Sequence, residues 1–201
     1  MKLELKMFTF QGSPVYLKLW FLLLFAWVSP TMVFAIFLSV LVHELAHAFV
    51  ANLFGYRVNQ IYIDLFYGAA EVDLDNCPER DIIPIVAAGP LSNLFLFGLT
   101  MVTISLFPGV EFLVNLAAVN LILFIFNIIP IYPMDGGRIL RSYLMMKMSS
   151  NRRKAKRISD WTSLVCSFFL LLYSISISAW IMVIFSALFI YYALKELNYL
   201  K

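Results

Sequence analysis

Long apolar runs separated by short polar breaks fill most of this chain, and their lengths predict membrane-spanning helices rather than the core elements of a water-soluble fold. Tyr16 to Val28 is short and carries Lys18 near its start, so it reads as a tilted span or an interfacial segment. Met32 to Leu53, Ile82 to Phe107 and Phe112 to Ile129 are each long enough to cross. Trp161 to Tyr173 and Ala179 to Leu194 read as a closing helical hairpin. Ser29-Pro30 marks a turn before the second run. One stretch alternates instead, "YRVNQIYIDLFYGAAEVDL" from Tyr56 to Leu74. Val58, Ile61, Ile63 and Leu65 are β-branched or apolar and Gly68 marks a turn, which predicts two short strands. The expected fold is an all-α polytopic membrane protein of about six transmembrane helices. A short β-hairpin-like element lies between the second and third spans, and residues 1–201 form a single transmembrane domain.

Composition agrees. The chain has 201 residues, of which 62% are hydrophobic and 13% charged, about half the charge of an ordinary soluble domain. The first run lacks a small-residue cleavage site, so it is expected to be retained. Arg138, Arg141, Lys147, Arg152, Arg153, Lys154, Lys156 and Arg157 follow one another with no acidic residue between them. Such a segment belongs in the cytoplasm, and an even number of spans then puts both termini there as well. "NRRKAKR" (151–157) reads as a topology signal beside anionic headgroups of the lipid bilayer rather than a nucleic-acid patch. Cys77 and Cys166 belong to no CxxC pair and are expected as free thiols.

The chemistry lies inside an apolar run. "VHELAHAF" (42–49) places His43 and His47 four residues apart, on one face of a helix. Two imidazoles at that spacing can hold one zinc ion. Glu44 stands beside them, where it can take a proton from water and pass it to a leaving amine. The chain has two histidines, and both are in this pattern. Ionisable groups at membrane depth are by default functional.

Catalytic zinc takes a third protein ligand, and with no histidine left it must be a carboxylate or a cysteine. "NIIPIYPMDGGR" (127–138) starts within the fourth span, and Pro130 and Pro133 break the helix there. Gly136 and Gly137 are expected to let the backbone bend tightly. Asp135 sits at this break, where it could equally cap the segment from Arg138; beside the histidine motif the ligand reading is preferred. Asp64, Asp73 and Asp75 are competitors, but their alternating or turn positions read as a solvated face. Both motifs fall near the cytoplasmic ends of their spans, hence at one depth.

Together, the histidine motif, "NIIPIYPMDGG" and the intervening "AGPLSN" (88–93) resemble the site-2 protease family of intramembrane zinc metalloproteases. The spacing is similar to its stage IV sporulation protein FB branch. The resemblance runs from about Met32 to Arg141. It implies that His43, His47 and Asp135 bind one Zn2+ and that Glu44 is the catalytic acid/base. It also implies that Asn127 lies near the active site and that Asn93 supports it. Gly89-Pro90 reads equally as a helix kink. Many members carry a PDZ insertion or a C-terminal CBS domain, and neither is expected here.

The expected function is regulated intramembrane proteolysis near the cytoplasmic face of a bacterial cell membrane. The partners are a membrane protein substrate, such as a membrane-anchored transcription factor or pro-protein, and a separate regulatory membrane protein. A helical substrate must unwind to expose its carbonyls, and the strands at Val58 to Leu74 could receive it as an added strand. A membrane zinc transporter or sensor would use the histidines but not Glu44 between them. A catalytically dead scaffold would not need an intact set.

Overall fold

The computed structural model of the chain describes residues 4–64, 69–72 and 77–197. Two compact units form. One comprises residues 1–77 and 87–125, the other residues 78–86 and 126–201.

The first unit is built on α1 (Pro30–Leu53). Ser29 caps it by accepting a hydrogen bond from the Met32 amide at 3.3 Å, and Pro30, at the first turn, gives up no helical bond. Its 24 residues extend about 36 Å at the α-helical rise. Ala35, Ser39, His43, His47 and Ala51 recur every four residues and are all buried. Ala35 packs with Leu116 and Val119 of α3 (Glu111–Ile128), and Leu96 of α2 (Glu79–Leu106) lies against that cluster.

A four-stranded sheet in the order β1-β2-β3-β4 completes this unit. The strands are Glu4–Phe10, Ser13–Lys18, Val58–Ile63 and Ala69–Val72. β1 and β2 pair antiparallel through a two-residue turn at Gln11-Gly12, where both residues have positive φ and glycine carries no steric cost. β2 pairs parallel with β3, with Val15 opposite Ile61 and Leu17 opposite Ile63. Val15, Ile61 and Ile63 are fully buried. Lys18 closes this register with an ion pair to Asp64 at 3.3 Å and lies over the Tyr62 ring.

Residues 16–28, expected as a tilted span or an interfacial segment, divide between two elements. Tyr16 to Lys18 finish β2, and Leu19–Ala26 form a 3-10 helix of eight residues, about 16 Å long. The start of this apolar run pairs with β3 instead of continuing as a helix, Tyr16 opposite Tyr62 and Leu17 opposite Ile63. The 3-10 helix carries the chain from the sheet back to the N-terminal end of α1. The expected pair of strands between Tyr56 and Leu74 is β3 and β4, antiparallel. β3 is flanked on both sides, so of that pair β4 is the terminal strand among the described residues. Gly68, Asp73 and Asp75 lie outside the described residues.

Among the described residues, four helices are long and apolar enough to cross a membrane: Pro30–Leu53, Glu79–Leu106, Glu111–Ile128 and Ser149–Ser176. Six such helices are not seen among the described residues. In the second unit, α4 (Asp135–Lys147) is short and α5 (Arg152–Ser176) begins within the basic segment, capped by Asn151. The closing hairpin is α5 with α6 (Trp180–Glu196). Ala155, Ser159, Ser163, Ser167 and Ser174 are the buried small residues of α5, which let neighbouring helices approach closely. Arg141 of α4 bonds Asp160 at 2.5 Å, and Lys156 bonds Glu196 at 2.7 Å.

The Lys156 ammonium, with help from Arg141 and Lys195, holds the Glu196 carboxyl below the usual carboxylate range. A carboxylate stabilised in the fold contributes stability above its ordinary pKa and loses it as the pH falls through the lowered value. Glu196→Gln should therefore melt below the native protein at neutral pH, and the gap should close on acidification. Thermal unfolding in detergent across that range checks this.

Candidate metal centre

In the first unit, α1 places two imidazoles one turn apart. His43 and His47 are buried, their rings meet edge to face with centroids 4.7 Å apart, and their Nε2 atoms approach to 3.1 Å. That separation is close to the roughly 3.3 Å edge of a tetrahedral zinc site with Zn–N bonds of about 2.05 Å. The donors fit the ion, since both nitrogens converge on one point. Glu44 is buried between them in sequence, on the same helix.

Asn93 of α2 is fully buried, and its Oδ1 lies 2.5 Å from His43 Nδ1. A contact of this kind is the one a metal-ligating histidine makes through its other nitrogen. Gly89, one turn earlier, has a reason the sequence alone did not give. A Cβ there would stand 2.5 Å from His47 Cε1 and 2.7 Å from His43 Cε1. The glycine is the wall against which both rings rest.

In the second unit, α3 ends at Ile128 and α4 begins at Asp135. The intervening segment holds itself by short-range bonds, Ile131 N–H to the Ile129 carbonyl at 2.7 Å and Met134 N–H to the Ile131 carbonyl at 2.8 Å. The Tyr132–Pro133 peptide is cis. Tyr132 is fixed at its amide by Ser163 Oγ at 3.0 Å, and the Arg141 guanidinium covers its ring at 3.7 Å. Asp135 is the first residue of α4 and Met134 holds the cap position. Asp135 is buried, with Arg138 Nη1 at 3.8 Å from its Oδ1.

Gly136 and Gly137 are not the tight bend that was expected, because both are helical. A Cβ on Gly136 would lie 2.5 Å from the Ile129 carbonyl oxygen, and one on Gly137 2.5 Å from that of Ile131. The absent side chains let the first turn of α4 lie directly on the preceding backbone. Asn127 sits one residue before the end of α3 and is half-buried.

His43 and His47 of the first unit and Asp135 of the second are each buried, and two imidazoles with a carboxylate are a donor set that suits zinc. A family model described as Peptidase family M50 matches residues 31–111 and 107–173. The chain is similar to Zinc metalloprotease MJ0392 of Methanocaldococcus jannaschii, 30% identical over 98% of this chain and 61% of that protein. It is also similar to Stage IV sporulation protein FB of Bacillus subtilis, 30% identical over 81% of this chain and 58% of that one. The chain thus spans about three fifths of the length of these curated relatives. Among solved structures it matches the Site-2 Protease from Methanocaldococcus jannaschii with a TM-score of 0.71 and 27% identity. That match covers 96% of this chain and 94% of the other.

The Gly89 wall makes a direct prediction. In Gly89→Ala the new methyl meets the mobile ends of two side chains, so the rings should swing while the helices hold. Zinc affinity, measured by chelator competition, should fall at least about tenfold, the scale on which groups around metal ligands act. Helix content and melting temperature should change little.

Proposed function

The chain belongs to peptidase family M50, the site-2 protease family, and on that footing we propose that it is an intramembrane zinc metalloprotease. Its substrates are membrane-anchored or membrane-associated proteins cut near the cytoplasmic face. The observation that carries this reading is the convergence of the two Nε2 atoms of α1 with Glu44 between their residues. A transporter or sensor would use the imidazoles, but no feature of the site favours it over hydrolysis.

His43, His47 and Asp135 are the proposed ligands. Bound zinc supplies a Lewis acid that polarises a peptide carbonyl and acidifies water. Glu44 takes a proton from the attacking water and passes it to the leaving amine. Asn93 holds the His43 ring in the orientation its role requires. Arg138 Nη1 lies 3.8 Å from Asp135 Oδ1.

Glu44→Gln should keep zinc and lose proteolysis by roughly a hundred- to ten-thousandfold, because only the proton shuttle is gone. Asp135→Asn should weaken zinc binding, and Asp135→Ala should weaken it further. Cleavage of a co-expressed membrane-anchored substrate, read beside metal content, tests all three. Near-native cleavage by Glu44→Gln would sink the mechanism, and full zinc retention by Asp135→Ala would remove that ligand.

The proposed location is the cell membrane, with Arg138 to Arg157 in the cytoplasm. The N-terminal strands share a sheet with β3, which leaves the C-terminal end of α1. Both termini are proposed to lie on the cytoplasmic face, and for the N-terminus the shared sheet supports that reading. A cysteine introduced as Asn151→Cys should react with a membrane-impermeant reagent only after the cells are opened. Labelling of intact cells would overturn this orientation.

A further inference from the structure

The first unit contains a buried polar chain that does not stop at Asn93. Asn93 Nδ2 donates to Asn120 Oδ1 at 2.8 Å and to the Ser39 carbonyl at 3.3 Å. Asn120 Nδ2 donates to the Leu116 carbonyl at 2.8 Å and to Ser39 Oγ at 2.8 Å. Ser39 Oγ–H donates to the Ala35 carbonyl at 2.7 Å. Ser39, Asn93 and Asn120 are all fully buried. Three helices supply the chain: α1, α2 and α3.

The direction of this chain is fixed at its far end. A backbone carbonyl can only accept. The Leu116 carbonyl therefore requires the NH2 end of Asn120, which turns the Asn120 oxygen toward Asn93. The Asn93 NH2 must then face Asn120, and the Ser39 carbonyl independently requires the same. Its oxygen is left toward His43, and an oxygen so placed must receive a hydrogen from Nδ1. His43 then carries its proton on Nδ1 and a lone pair on Nε2, the nitrogen 3.1 Å from His47 Nε2.

We propose that Asn120 is a positioning residue: through Asn93 it sets the tautomer of His43, so that a carbonyl in α3 decides which imidazole nitrogen of α1 is open to a metal. This rests on the metalloprotease reading for its purpose, though not for its geometry. Without Asn120, one of the two acceptors that hold the Asn93 amide is gone. The amide can then rotate and offer its NH2 to His43, which favours the wrong tautomer.

The chain's own habits supply a variant that should fold. Hydroxyls on these helices repeatedly bond the carbonyl four residues back, as Thr100 does to Leu96 at 2.7 Å and Ser174 to Leu170 at 2.6 Å. Asn120→Ser should satisfy itself on Leu116 in that way while being too short to reach Asn93. Asn120→Leu, which keeps the approximate shape and loses both amide ends, is the second variant. Thr100→Val, a buried change in the same unit outside the polar chain, is the control.

The chain has two histidines, so isotope-labelled histidine gives nitrogen NMR signals from His43 and His47 alone. In metal-free full-length protein in detergent, native His43 should show the Nδ1–H tautomer. Asn120→Ser and Asn120→Leu should lose part of that population, and their zinc affinity by chelator competition should fall about tenfold. Thr100→Val should match the native protein in both. A native imidazole spectrum in both Asn120 variants would overturn the proposal, even with weaker zinc binding, because the role would then be structural. The underlying reading fails separately, if native protein and His47→Ala bind zinc alike, and the metal-free spectra would still report on the relay.

Discussion

Burying an imidazole among apolar helices imposes the constraint on which the rest of this structure depends. Each ring nitrogen needs a partner of the right kind, because an unpaired polar atom in such surroundings costs more than most packing contacts return. His43 meets it with Asn93 on one nitrogen, leaving the other facing His47. That single bond dictates where α2 must pass and which residue it must carry there. The Asn93 amide has four hydrogen-bonding positions of its own to place, and Asn120 and the Ser39 carbonyl follow from them. The polar requirement spreads from one ring through three helices until it ends on backbone carbonyls.

Close approach of backbone is the second requirement. Side chains that point into a site need a wall behind them, and at Gly89 that wall is the bare Cα of α2. Gly136 and Gly137 do the same for the first turn of α4, which lies on the carbonyls of residues 128–131. None of the three has the positive φ of Gly12 or Gly55. Their use is the absence of a Cβ rather than freedom of the backbone.

Features carried by local spacing were legible in the sequence. Two histidines four apart on a helix must share a face, and the proline break before Asp135 is visible as letters. Asn93 came from its motif. What was not legible depends on partners far away in the chain. Asn120 is one asparagine in an apolar run, and its bonds to Asn93 and Ser39 cross 27 and 81 residues. Hydropathy alone could not separate β2 and the 3-10 helix from a short span, since pairing of Val15 with Ile61 is what makes the strand. Residues 152–157 read in the sequence as a basic topology signal outside the spans. They are the first turns of α5, carried there by the Asn151 cap, whose Oδ1 accepts from the Lys154 amide at 3.1 Å.

The distribution of polarity explains why site and fold cannot be separated here. Phe95, Trp180 and Ile181 are more than two thirds exposed, while Ser39, Asn93, Asn120, Ser159, Ser163 and Ser167 are fully buried. A water-soluble protein would have these reversed. Surrounded by lipid, exposed apolar side chains gain nothing by coming together, so helix association must rely on small residues, close packing and hydrogen bonds. In the first unit the fully buried groups that bond between helices, Ser39, Asn93 and Asn120, are also the ones that orient His43. Replacing them with apolar side chains would remove bonds between helices and the orientation of a ligand in one step. Polar residues in the interior of this chain therefore hold the helices together and set the chemistry through the same contacts.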